Sequence, residues 1–256
     1  MDAKGSQSNH KPSIQRLYGK NHFDLGRRIA ASHGGSMKCE IKVLSQWARV
    51  NPKKYKWITK GLPVHSRTIS TIYPNRIREL DGLARGLSMG LDDMLAARAL
   101  IDSCIVPCCT TFGAVSPATR DGDAILSWNF DAPFSLKMFF GRYPLFVREV
   151  EGTIPYLCLG RPWFWSIGIL NAEGLGCVVN GVGVTDDGDG FTPFELNTRA
   201  METCATVEEA AQVLKQGPRQ ATRGMSANML LNWNTIWSDR NSNLSLFEYS
   251  HNHFHQ

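Results

Sequence analysis

Cys109 opens a stretch whose residue types and spacing fit nucleophilic chemistry. It runs Cys109-Thr110-Thr111-Phe112-Gly113-Ala114, turns at Asp121-Gly122-Asp123, and continues as Ser127-Trp128-Asn129-Phe130-Asp131. This reads as strand, turn, strand, with the thiol at the first position of the first strand. A cysteine nucleophile normally needs an imidazole to take its proton. The seven histidines stand at 10, 22, 33, 65, 251, 253 and 255, so the body of the chain has none. An α-amino group, with an unperturbed pKa of about 7.7–8.0, can serve as base instead. Cys109 owns one only if the chain is cut between Cys108 and Cys109. The bland reading of Cys108-Cys109 is a buried pair of small apolar side chains.

Two long segments must carry this unit. Over 24–50 and 76–102 apolar residues recur at three and four, as in Ile77, Leu80, Leu83, Ala84 and Leu87, so helices are expected there. Gly61-Leu62-Pro63 and Tyr73-Pro74 are read as turns between them, and residues 1–15 as a polar, disordered start. At Val106-Pro107 the pattern changes. Strands are expected at 124–129, 145–149, 165–170 and 174–179, helices at 193–204 and 207–216, and a final hairpin from 228–237 and 243–249. Thr206 with Glu209 three residues on is a capping box. Helices, strands, helices and a hairpin in this order suit two sheets covered by helices.

The 256 residues are 43% apolar, enough for a real core, yet hold no apolar run long enough for a membrane span. The first twelve residues lack the apolar stretch of a secretory signal. Seven scattered cysteines without disulfide-framework spacing point to a reducing compartment, the cytoplasm. Lys53, Lys54, Lys56 and Lys60 alternate with Tyr55 and Trp57, but no nucleic-acid module accompanies them, and a solvated helix face is expected. No metal is expected. Cys104, Cys108 and Cys109 give half of a zinc-like spacing without a second cluster, and Asp186-Asp187-Gly188-Asp189 fails the EF-hand pattern.

The motifs resemble those of the acyl-coenzyme A:6-aminopenicillanic acid (isopenicillin N) acyltransferase-like family of N-terminal-nucleophile hydrolases. The resemblance is carried by Cys109-Thr110-Thr111, by Asn129-Phe130-Asp131, and by Asn171-Ala172-Glu173-Gly174-Leu175 through Asn180. Upstream, Tyr18-Gly19 through Gly26 and the stretch from Leu80 to Gly86 look like the family's two pro-segment signatures. It implies a four-layer αββα sandwich over 109–256, preceded by a helical pro-segment, 1–108, kept as a second subunit after self-cleavage. It further implies Cys109 as nucleophile through its freed α-amine, Asp131 orienting that amine, and Asn180 holding the oxyanion. The substrate would be a small amide or acyl donor, with acyl-coenzyme A as a co-substrate and no other cofactor. Asn171 with Gly174 is read as a hairpin turn. The aromatics Trp163, Trp165 and Phe134 are either the wall of an acyl pocket or plain core.

The chain departs from the family in two places. Cys108 stands where the pattern has Gly, and the part after Cys109 is short. Glu248 is followed almost at once by His251-Asn252-His253-Phe254. Either a strand is deleted and Asn252 is the counterpart of the family's supporting Asn, or the C-terminal strands are absent. The leading reading is an autoprocessed cysteine amidohydrolase or acyltransferase. Its competitors are an inactive, truncated member acting as a binding protein, and an unprocessed thiol enzyme with His251 or His253 as base.

Overall fold

The computed structural model describes residues 14–49, 52–102, 109–131, 145–223 and 230–256. Four helices come first: α1 (His22–Arg49), α2 (Pro52–Ile72), α3 (Pro74–Gly86) and α4 (Leu91–Asp102). Asn21 starts α1, its side chain accepting from the Asp24 N–H at 3.0 Å, and Pro74 sits in the first turn of α3. Gly61-Leu62-Pro63 is not a turn. The helix α2 runs through it with Pro63 exposed, at the cost of one ladder hydrogen bond. Tyr73-Pro74 is the break between α2 and α3. The helices α1 and α3 touch backbone to backbone: a Cβ on Gly26 would overlap the Glu79 carbonyl, and one on Gly82 the Phe23 carbonyl. The two upstream glycine signatures are thus the contact between these helices.

The remaining elements are mostly strands: β1 (Gln15–Gly19), β2 (Cys109–Ala114), β3 (Ile125–Phe130), β4 (Leu145–Val150), β5 (Tyr156–Arg161), β6 (Phe164–Asn171), β7 (Gly176–Val184), β8 (Thr222–Arg223), β9 (Leu230–Ser238), β10 (Leu244–Tyr249) and β11 (Phe254–His255). Helices α5 (Pro193–Thr203) and α6 (Val207–Gln216) lie between β7 and β8, each opened by a capping box, Thr192 with Glu195 and Thr206 with Glu209. Nine strands form one sheet in the order β1-β4-β5-β6-β7-β9-β10-β11, with β8 also paired to β9. The pair β2-β3 is a separate two-stranded sheet. Residue 15 belongs to β1, which pairs in parallel with β4, so the segment before Cys109 contributes a strand as well as helices.

The chain is therefore α+β, with six helices among the described residues. The helices pack on one face of the large sheet. On that face Arg148 meets Glu79 of α3, Tyr156 meets Glu202 of α5, Gly168 meets α5 through Met201 and Asn197, and Trp233 meets Phe194 edge-on at 4.6 Å. The β2-β3 hairpin lies on the opposite face: a Cβ on Gly113 would press on Ile236 and Leu244, and one on Gly176 on Leu126. No helix of the described residues is long and apolar enough to cross a membrane.

The helical layer is fastened by buried charge. Arg148 of β4 clasps Glu79 of α3 through two bonds of 3.0 and 2.6 Å, and Arg76 adds a third at 3.1 Å. Beside them Glu202 of α5 accepts from Tyr73, lies 3.1 Å from His22 Nε2, and is 3.8 Å from Arg148. Burial alone would raise the Glu79 carboxyl, but the two guanidiniums outweigh it and hold it well below the usual carboxylate range. Burial likewise opposes ionisation of Glu195, and His65, Arg76 and the Thr192 N–H bring it down to about 2.

Two outcomes follow. Glu79→Gln leaves Arg148 buried without its partner and should cost about 3–5 kcal/mol in denaturant unfolding; a loss under about 1 kcal/mol would show the pair to be dispensable. Both carboxyls are depressed in the fold, so their stabilisation is present above the unfolded carboxylate pKa of about 4.3 and is lost as pH falls toward the folded values. Helical signal should therefore weaken between about pH 4.3 and pH 2, the latter being the folded value for Glu195.

Candidate functional site

Strand β2 alternates half-buried and exposed residues. Cys109, Thr111 and Gly113 turn toward the large sheet, while Thr110 and Phe112 turn outward. Cys109 pairs with Phe130, Thr111 with Trp128 and Gly113 with Leu126, so the inward face of β3 is apolar. Trp128 and Phe130 pack on the core, their rings edge-on at 5.6 Å. Cys109 is in no disulfide.

The sheet under the hairpin presents a polar row. Asn180 of β7 pairs with Asn234 of β9, Asn234 with Glu248 of β10, and Glu248 with His255 of β11. Side chains alternate along a strand. Because Gly176 and Ile236 face the hairpin, so do Asn180 and Asn234. Asn234 Nδ2 donates to Glu248 Oε1 at 3.2 Å. Leu126 lies on Gly176, and Trp128 shares a groove with Val178. The thiol of Cys109 and the amide of Asn180 thus lie on the surfaces that the hairpin and the large sheet turn toward each other.

Asp131 lies one residue past the Cys109–Phe130 pair, exposed, and accepts from Asn129 Nδ2 at 2.9 Å. It sits beside the backbone start of β2 and not on the face of the thiol, as suits a partner for an amine. Asn129 is the residue that holds it. Asn171 is a turn residue: its Oδ1 accepts from the Glu173 and Leu175 N–H groups at 3.1 and 3.0 Å, and Gly174 takes φ +88°. Its Nδ2 also ties the turn to α5 through the Met201 and Cys204 carbonyls. Asn252 is exposed in the turn between β10 and β11, where its backbone N–H donates to Asp186 at 2.7 Å. The loop at Asp186 is clamped to this turn, since Ser250 Oγ donates to the same carboxylate at 2.9 Å. His251 packs over Gly188, where a Cβ would overlap its ring.

Of the two readings of the aromatic segment, Trp163 fits plain core. Trp163 is buried, donating from its indole to Glu40 at 2.7 Å and meeting the tilted ring of His33 at 4.7 Å, so it serves the helical layer. Phe134 and Cys108 lie outside the described residues, as does the side chain of Trp165. The apolar groove beside the hairpin, about 410 Å³, is walled instead by Leu126, Trp128, Leu159, Ile169 and Val178. Trp128 was visible in the sequence only as part of a strand, and Asn234 gave no signal, because its place depends on a pairing fifty-four residues away from Asn180.

Burial pushes up the thiols of Cys158, Cys177 and Cys204, which keeps them protonated at neutral pH and poor nucleophiles. Set against protein-family models and curated proteins, the chain matches none.

Iodoacetamide on the native protein should modify Cys39, which is exposed, and Cys109, which is half-buried, well ahead of Cys158, Cys177 and Cys204. Peptide mass mapping over time checks this. Equal rates at Cys177 and Cys39 would mean that the interior opens as fast as the surface reacts.

Proposed function

We propose that the protein is an autoprocessed cysteine enzyme of the N-terminal-nucleophile kind that cleaves a non-peptide amide or transfers an acyl group. The observation carrying this is that Cys109 begins a strand and turns toward the sheet face that bears Asn180. In processing, the Cys109 thiol attacks the carbonyl of residue 108, the amide nitrogen leaves as the new α-amine, and water hydrolyses the resulting thioester. In turnover, that α-amine takes the thiol proton and returns it to the leaving amine or thiol. Water or an amine then accepts the acyl group from Cys109. Asn180 donates to the oxyanion, Asp131 orients the α-ammonium as a charge-assisted partner, and Asn252 supports the turn nearby. The sheet and hairpin would be the inner two layers of the family's four-layer sandwich. Residues 1–108 would stay bound as a second subunit, through the charges around Arg148. The setting is a reducing compartment, the substrate a small acyl donor, and acyl-coenzyme A a fitting co-substrate.

A second reading has its own observation. Phe112 and Ile125 are 53% and 48% exposed, diagonal neighbours on the outer face of the hairpin. A non-catalytic family member could use that face to bind a partner.

Intact mass of the purified protein separates the two. The catalytic reading expects fragments 1–108 and 109–256 that co-elute on gel filtration, and one whole chain for Cys109→Ala. A parent chain that stays whole and inactive favours the binding reading. Cleavage of Cys109→Ala at the same bond would exclude self-processing by this thiol.

Among processed variants, Asn180→Ala should mainly lower kcat, on the order of 10²–10³-fold, whereas Asp131→Asn should slow both processing and turnover. An Asn180→Ala protein with full kcat on an acyl anilide removes Asn180 from the oxyanion role.

A further inference from the structure

We propose that Asn232 is a second N–H donor of the Cys109 site, holding the carbonyl oxygen of the acyl group alongside Asn180. This deepens the reading of Cys109 as nucleophile and rests on it.

Three observations carry the inference. The first is burial without a partner. Asn232 is fully buried, its Oδ1 accepts from the Trp233 N–H at 3.0 Å, and its Nδ2 has no hydrogen-bond partner among the described residues. A buried amide left unpaired costs about 1–3 kcal/mol, and an apolar side chain of similar shape would avoid that cost. The second is direction. Trp233 meets α5, so the odd residues of β9 face the helices and Asn232, Asn234 and Ile236 face the hairpin.

The third is level. We take β3 to run in the sense of β7, from Leu126 on Gly176 and the groove that Trp128 shares with Val178; β2-β3 and β7-β9 are antiparallel, so β2 and β9 then run the same way. Gly113 rests on Ile236. Cys109 is four residues before Gly113 on the inward face, and Asn232 is four residues before Ile236 on the facing surface. The thiol therefore stands over the stretch from Asn232 to Asn234. Of those two amides, Asn234 already gives one N–H to Glu248, and Asn232 keeps its Nδ2 hydrogens without a partner among the described residues. Asn180, opposite Asn234, is the diagonal neighbour of Asn232, about 7–8 Å away by strand geometry. Two neutral amides flanking one point suit an oxygen with two lone pairs that gains charge as the carbonyl becomes tetrahedral. The ligand class is an acyl carbonyl, and a purely apolar or cationic ligand would gain nothing from this pair.

The test is acylation of the processed protein by p-nitrophenyl acetate, followed by intact mass, with the thermal midpoint measured on the same samples. Asn232→Leu should acylate on the order of 10²–10³-fold more slowly, while its midpoint falls only by the loss of the Oδ1 acceptor for the Trp233 N–H. Acylation of this variant at the parental rate overturns the proposal, and so does iodoacetamide modification of its Cys109 slowed by the same factor, since alkylation forms no oxyanion and such slowing marks a disturbed thiol. Asn232→Asp guards against a Leu variant that fails to fold. It keeps the shape and the Oδ1 acceptor, and its deficit should shrink at low pH, where a protonated carboxyl donates again; a deficit flat across pH overturns the proposal. The parent reports on Cys109 separately. If the parent takes up no acyl group, or Cys109→Ala takes up as much, the nucleophile reading fails and this inference with it. If Cys109 is acylated and Asn232 proves indifferent, only this inference fails.

Discussion

The clasp between Arg148 and Glu79 is the constraint on which the arrangement depends. Both groups lie in the dry interior between the sheet and the first helices, where neither charge is tolerable without the other. Their pairing fixes α3 against β4, and the glycine contact fixes α1 against α3. Glu202 then ties α5 to the same cluster through His22 and Tyr73. One helical face of the sheet is thereby committed, and the opposite face is left to the hairpin that carries Cys109.

Such charged clusters seldom add much net stability over a well-packed apolar equivalent. Here the pairing does something an apolar patch would do less sharply: it admits one register of helix on sheet. Arg148 meets Glu79 only if α3 lies at one height along β4, and that height also sets the parallel pairing of β1 with β4 through the short link into α1. The site gains from this indirectly. A sheet held rigid on its helical side offers fixed positions for Asn180 and Asn234 on the other.

Much of the frame was legible in the sequence because local chemistry determined it. Thr206 and Glu209 mark the start of α6, and the helix runs from Val207 to Gln216 as the spacing indicates. The pattern from Cys109 to Asp131 is a hairpin with the expected alternation. Tyr156–Arg161 escaped notice because it is short and almost continuously apolar, and Gln15–Gly19 because it looks polar and acquires its partner only at β4. Pro63 misled because a proline in an exposed helix position is a cost and not a prohibition. Within the site, Cys109, Asp131 and Asn180 carry residue types and spacings that could be read directly. The polar row could not, since it arises from strands that meet across long stretches of chain. Trp163 illustrates the converse limit: an aromatic run has no address until packing supplies one, and here the address is Glu40 and His33.

The parallel pairing of β1 with β4 makes the smallest self-sufficient unit of this molecule larger than its chemistry would require. Were the segment before Cys109 lost, the sheet would show a row of unpaired backbone groups along β4, next to a guanidinium stripped of its counter-charge. Such a surface templates association with further chains. The leading segment is thus an edge guard as much as a layer, and heterologous production of 109–256 alone sets a folding and solubility problem that co-expression of the first hundred residues removes.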